Sequence, residues 1–291
     1  MKGIVMAGGK GHRLYPLTAG VSKHLLPIYD KPMIFYPLSV LMLAGVRDIL
    51  LVCNPADLDN YKRLLGSGAN YGINLFYITQ LEPRGIAEAF ILGADFIGND
   101  CVWLVLGDNL FYGQGLSTTL RRVNSGTMRG ATVFAYPVND PSDFAVIVLD
   151  SNYQPKSITE KPNQFQSQYA VTGLYFYDNQ VVEIAHTIKP SARGELEITS
   201  INQVYLDRGE LRVEMLGRGM TWLDAGTPER MIEASEFVRT LEKRQGYRIA
   251  CLEEIAWRNG WLTTARMAEI VNVLPTSAYK NYLVELIEGN Q

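Results

Sequence analysis

Through the first third of the chain, apolar runs of strand length alternate with amphipathic runs of helix length. That alternation is the pattern of βαβ units, in which a crossover helix returns the chain to lay each strand parallel to the last. It predicts strands at Lys2–Met6, Asp48–Cys53, Ile73–Ile78 and Val102–Leu106, with helices at Met33–Ala44, Leu58–Leu65 and Ile86–Ala94. The run VWLVLGD is apolar at every strand position instead of every second one, which marks a central strand covered on both faces.

The texture changes between Ala131 and about Asp178, where ATVFAYPV, FAVIVLD and YAVTGLYFY are shorter, alternating runs divided by Pro, Asn and Asp. This reads as an inserted, partly antiparallel lobe. From Thr227 the pattern is helical: Thr227 suits an N-cap, Pro228 the first helical position, and EASEFVRTLEKRQG runs to a glycine stop. The charged end of that run, EKRQGYR, is expected to be solvated, and His186 in DNQVVEIAHTI is expected to be a surface or packing residue. The architecture implied is α/β. Residues 1–226 form a core with a Rossmann-like, mostly parallel sheet and helices on both faces, including the mixed-sheet lobe at about 131–178; a C-terminal helical region, 227–291, packs on it.

Composition narrows the partners. A chain of 291 residues that is 47% hydrophobic can bury a full core, and its net charge of -3 argues against nucleic acid. Any anion must therefore be held by local chemistry. Cys53, Cys101 and Cys251 are far apart with no CxxC pairing, which fits a reduced compartment. The start lacks the basic and long apolar stretches of a signal peptide, and the longest apolar run, MIFYPLSVLMLAGV, is too short to span a bilayer. The expectation is a soluble, cytoplasmic protein with no membrane partner.

Candidate chemistry begins at AGGKGHRL, directly after the first strand. A glycine-rich turn there presents backbone N–H groups at the carboxyl edge of a sheet, where open α/β folds bind ligands. The dinucleotide fingerprint is excluded because Gly9-Lys10-Gly11-His12-Arg13-Leu14 lacks the third glycine, and because Cys53 and Asn54 stand where an acidic residue is needed. A P-loop is excluded too, since no G-x-x-x-x-G-K-[ST] occurs. What remains is G-G-x-G-x-R with Lys23 ten residues after Arg13. Asp108 in VLGDN and Asp224 in WLDAG each end an apolar run beside glycine, as turn formers or as halves of a divalent-cation site.

GGKGHRLYPLT followed by SKHLLPIYDKPMIFYPLS resembles the signature of the sugar-1-phosphate nucleotidyltransferases, and within them the thymidylyltransferases acting on dTTP and glucose 1-phosphate. The likeness continues through LVLGDNLFYG, ITEKP, KPSARGELEITS, LGRGMTWLDAGT and RQGYRIACLEEIAWRNGW, nearly the whole chain. It implies Mg²⁺-dependent attack of a sugar 1-phosphate on the α-phosphorus of dTTP. Gly8, Gly9 and Gly11 would cradle the triphosphate, Arg13 the departing phosphates, Lys23 the α-phosphate and Lys161 the sugar phosphate, with Asp108 and Asp224 as metal ligands. Matching positions place Gln80, the Gly85 backbone and His24 at the nucleotide, and Ala145, Glu160, Val171 and Trp222 at the sugar. The resemblance also implies a homotetramer with a regulatory nucleotide site at Tyr112, Gly113, Arg218, Glu254 and Ile255. His12, His24, Arg84, Glu88, Ala145 and Val148 depart from the family pattern, so a different sugar phosphate, UTP, or an inert nucleotide-sugar-binding role are the alternatives.

Overall fold

The computed structural model describes residues 1–126 and 129–289; the last two residues of the expected C-terminal region lie outside this range. Along the chain come β1 (Lys2–Ala7), a ribbon of β2 (Pro27–Ile28) and β3 (Lys31–Pro32), α1 (Phe35–Leu43), β4 (Asp48–Cys53), α2 (Leu58–Leu65) and β5 (Asn74–Thr79). Then follow α3 (Glu88–Leu92), α4 (Ala94–Ile97), β6 (Val102–Leu106), β7 (Asn109–Gly113) and α5 (Leu116–Ser125). The expected helix over Ile86–Ala94 is thus divided. Gly93 leaves the helical conformation at φ -89 and ψ 10, and a Cβ there would meet Leu50 Cδ2 at 3.0 Å, so the break lets this segment lie close on β4.

β6, β1, β4 and β5 pair in parallel in that order. Side-chain alternation divides their apolar residues between two layers. Val5, Ile49, Leu51, Trp103 and Val105 pack with α1, α2 and α5 on one face. Ile4, Leu50, Val52, Val102 and Leu104 pack with α3 and α4 on the other. Burial on both faces is why VWLVL carries no polar residue: Val102 to Val105 are wholly buried.

The 131–178 region contains β8 (Ala131–Pro137), β9 (Ala145–Leu149), β10 (Pro155–Glu160) and β11 (Tyr169–Tyr177), and it continues the central sheet. β11 runs antiparallel to β6, with Leu174 opposite Val105, and antiparallel to β9, with Ala170 opposite Val146. Ala170 precedes Leu174 by four residues, so β9 and β10 begin where β6 stops and overhang its carboxyl edge. After α6 (Gln180–Thr187) and α7 (Ile198–Asp207), β12 (Leu211–Met215) joins β8, and β13 (Met220–Asp224) forms an antiparallel ribbon with β7. His186 is exposed on α6, as expected.

α8 (Pro228–Gln245) starts as the sequence predicts: Thr227 Oγ1 accepts from Arg230 N at 3.3 Å, and Gly246 stops it at φ 77. Its charged end is solvated at Lys243, Arg244 and Gln245 as expected and departs from expectation at Glu242. Glu242 is buried, accepting from Lys31 Nζ at 3.0 Å, Arg248 Nη1 at 2.8 Å and Ile249 N at 2.8 Å. The β2–β3 ribbon delivers Lys31, also buried, against this end, and the opposed charges make burial tolerable. α9 (Leu252–Arg258) packs Leu252 and Ala256 into the core shared with α1, while α10 (Thr264–Val273) and α11 (Ala278–Ile287) close a smaller core around Met267 and Leu283.

Candidate active site

Because β1, β4, β5 and β6 are parallel, the chain leaves them along one edge, bringing Gly8, Gln80 and Asp108 to the same side of the sheet. A cavity of about 390 Å³ opens there, walled on its far side by β9 and β10. It is lined by Gly9, Arg13, Lys23, His24, Gln80, Gly85 and Asp108 from the first half of the chain, and by Ala145, Glu160, Lys161, Val171, Trp222 and Asp224 from the second. Gly8 and Gly11 shape the loop without lining the cavity: Gly11 takes φ 63, and a Cβ on Gly8 would stand 2.6 Å from Gln80 Oε1.

The charged centre is compact. Lys23 Nζ pairs with Asp108 Oδ2, and Asn109 Nδ2 donates to Asp108 Oδ1 at 3.0 Å. The β7–β13 register sets Asp224 opposite Asn109, next to Asp108. Asp224 accepts from Arg230 Nη1 at 3.1 Å, and Arg230 Nη2 reaches Asp143 at 2.7 Å. The two carboxyl groups are driven apart. Burial pushes Asp108 up, but the Lys23 ammonium, with His24 and the bonds from Lys23 and Asn109, holds it well below the usual carboxylate range. Burial, and then the charge of Asp108, push Asp224 up to about 6. His24 is buried beneath Gly107, and burial followed by Lys23 lowers it to about 3, so its ring is neutral at physiological pH.

On the opposite wall, Glu160 Oε2 accepts from Thr199 Oγ1 at 2.6 Å and Oε1 from Arg193 Nη2 at 3.1 Å. Lys161 follows at φ 40, a conformation costly for any residue with a side chain and concentrated at functional positions. Trp222 donates Nε1–H to Asn109 Oδ1 at 2.6 Å and packs its ring 4.9 Å from that of Phe144.

Asn109, Arg230 and Asp143 escaped the sequence reading. A signal existed for two of them: an amide in an otherwise apolar strand must find partners once buried, and Arg230 puts a cation in the first turn of a helix, where the dipole disfavours it. The five residues expected to form a regulatory site do not line the cavity. Tyr112 and Gly113 are at the distal end of β7, about 10 and 13 Å along the ribbon from Asp224. Arg218 is exposed in the turn before β13, and Glu254 is buried on α9 beside Ile255, bonded by Tyr282 and Arg258.

A family model described as nucleotidyl transferase matches residues 2–240. The chain belongs to the nucleotidyl transferase family. Among curated nucleotidyltransferases, it is 56% identical to the glucose-1-phosphate thymidylyltransferase of Neisseria meningitidis over 288 residues, 99% of this chain and 100% of the relative. It is 53% identical to that of Mycobacterium tuberculosis over 290 residues, 100% of each chain to the nearest per cent. A Bacillus anthracis structure described as a glucose-1-phosphate thymidylyltransferase in complex with sucrose superposes with a TM-score of 0.75 at 39% identity, covering 82% of this chain and 95% of that one. A UDP-glucose pyrophosphorylase bound to UDP-glucose gives 0.72 at 27% identity, covering 82% and 98%. This nucleotidyltransferase therefore shares its fold with both.

Proposed function

We propose that this nucleotidyltransferase transfers a thymidylyl group from dTTP to glucose 1-phosphate, releasing pyrophosphate and giving dTDP-glucose. The observation that carries the reading is one cavity in which Lys23, Asp108 and Asp224 meet Lys161 from the opposite wall. A sugar phosphate oxygen forms a bond to the α-phosphorus as the bond to the β-phosphate oxygen breaks, so positioning and charge compensation suffice without a covalent intermediate. Lys161 holds the sugar phosphate, Lys23 the α-phosphate, and Arg13 the departing pyrophosphate. Gln80 and the Gly85 backbone take the base, while Glu160, already bonded by Thr199 and Arg193, accepts from sugar hydroxyls beside Val171, Ala145 and Trp222.

Asp108 and Asp224 form a donor set suited to a hard divalent cation: two carboxylates opening on one cavity, with further positions left to phosphate oxygens and water, the way Mg²⁺ is usually held. When bound, Mg²⁺ supplies neutralisation of the reacting phosphates. Tyr112, Gly113, Arg218, Glu254 and Ile255 would form a regulatory site completed by another subunit of a homotetramer. Among the described residues no helix is long and apolar enough to cross a membrane, and the buried cysteines suit the reducing cytoplasm.

Pyrophosphate release, assayed with dTTP and UTP against a panel of sugar 1-phosphates, tests this reading. The highest kcat/KM is expected for dTTP with glucose 1-phosphate; a different preferred sugar would point to Ala145, whose methyl lines the sugar wall, and no release from any pair would sink the proposal.

A further inference from the structure

Gln80 is held by a neighbour that nucleotidyl transfer does not itself use. Its side chain is buried, and Nε2 donates to Glu88 Oε2 at 2.7 Å and to the Gly85 carbonyl at 3.3 Å. Glu88 is only 3% exposed, and its second oxygen accepts from Arg84 Nε at 2.8 Å and Nη2 at 2.5 Å. A carboxylate accepts and does not donate, so the amide nitrogen has to face it. Turning the amide over would set Oε1 against Oε2 where water cannot intervene, leaving both oxygens buried and unpaired. Both amide hydrogens are thereby committed. Oε1 points towards the glycine loop on the cavity side and accepts no hydrogen bond from another described residue.

We propose that the Arg84–Glu88 pair determines base specificity by locking Gln80 as a pure acceptor. This rests on the placement of the base at Gln80. An acceptor-only amide matches a pyrimidine with an N–H at the centre of its pairing edge, as in thymine and uracil. It rejects cytosine, whose corresponding ring nitrogen is itself an acceptor. The 5-methyl group is not read by this amide, so thymine and uracil are separated, if at all, elsewhere in the pocket. Arg84 and Glu88 are positioning residues here, acting through Gln80 without touching the nucleotide.

The test is kcat/KM for dTTP, dUTP and dCTP with glucose 1-phosphate in the parent, Glu88→Gln and Arg84→Ala, with circular dichroism and melting checked for each. dUTP and dCTP differ only at the edge in question. The parent is expected to favour dUTP over dCTP by about 100-fold or more. Glu88→Gln, whose amide can meet Gln80 in either orientation, narrows that ratio by about tenfold, and Arg84→Ala, on an exposed side chain that the fold tolerates losing, narrows it by about threefold. The dTTP to dUTP ratio stays constant throughout. Folded variants with the parent's dUTP to dCTP ratio, or with all three nucleotides weakened in parallel, would overturn the specificity role while leaving nucleotidyl transfer intact. A parent inactive on dTTP would instead overturn the functional reading beneath it.

Discussion

The indole N–H of Trp222 and the amide oxygen of Asn109 are 2.6 Å apart, and the same oxygen receives the backbone N–H of Gly173 at 3.0 Å. The Asn109 nitrogen meanwhile donates to Asp108, so one buried amide ties a cavity-lining tryptophan, strand β11 and a cavity carboxylate into a single network. Asn109→Ala strands two buried donors and is expected to cost about 2–4 kcal/mol in urea unfolding. Asn109→Asp keeps the acceptor for Trp222 and Gly173 but sets a second negative charge against Asp108. It is expected to lose stability as well, by about 2–4 kcal/mol, because like charges then meet at a buried site, while the kcat/KM of the folded protein falls about 100-fold.

Asp108→Asn and Asp224→Asn are each expected to lower turnover by about 1000-fold or more while the circular dichroism spectrum stays native. Chelation should silence the parent, and added Mg²⁺ should restore it. A variant within tenfold of the parent would remove that carboxylate from the proposed metal set.

Arg230 spans Asp224 and Asp143 and lies 5.4 Å over the Phe144 ring, joining the carboxylate ribbon to the loop that leads into β9. Arg230→Met keeps the apolar stem but drops both ion pairs. About a tenfold loss in kcat/KM is expected, shared with Asp143→Ala, and the double variant should lose no more than either single one.

Lys31 and Glu242 form a buried ion pair remote from the cavity. Removing Glu242 leaves Lys31 and Arg248 to share Asp30 alone and strands the buried Ile249 N–H, so Glu242→Leu should lower stability by about 2–4 kcal/mol. The kcat/KM of the protein remaining folded at low temperature should be unchanged.

Burial raises the Glu253 carboxyl above its ordinary value, despite the Tyr279 hydroxyl that donates to it at 2.5 Å. The folded protein thus takes up this proton before the unfolded chain does as pH falls. Its contribution to stability is fully present below the unfolded carboxylate's pKa and is lost as pH rises through the folded one. Glu253→Gln should therefore melt higher than the parent at pH 8, and the advantage should disappear towards pH 4. Melting curves across that range check it.

How much was legible in the sequence follows from the range over which each feature is determined. Strand β6 declared itself because burial on both faces removes every polar residue from five consecutive positions, and Thr227, Pro228 and Gly246 bounded α8 by local backbone chemistry alone. The residues gathered round the cavity were reachable through family resemblance, because their motifs are contiguous. Pairings between distant segments were not. Glu242 looked like a solvated helix end because its partner Lys31 is 211 positions away, and Arg230 went unremarked because Asp143 is 87 away. Nor could sequence show which way the Gln80 amide faces, since that depends on a carboxylate eight residues on being folded back beneath it.

Strand β11 meets β6 through Leu174 to Tyr177 and β9 through Ala170. It is therefore the spacer between the wall that would carry the nucleotide and the wall that would carry the sugar. Inserting or deleting a residue between Ala170 and Leu174 would shift Val171 and the Gly173 N–H that Asn109 accepts, and with them the distance between the two walls. It would change how far the attacking oxygen has to travel, so the injury would be registered in turnover as well as in the affinity for the sugar phosphate.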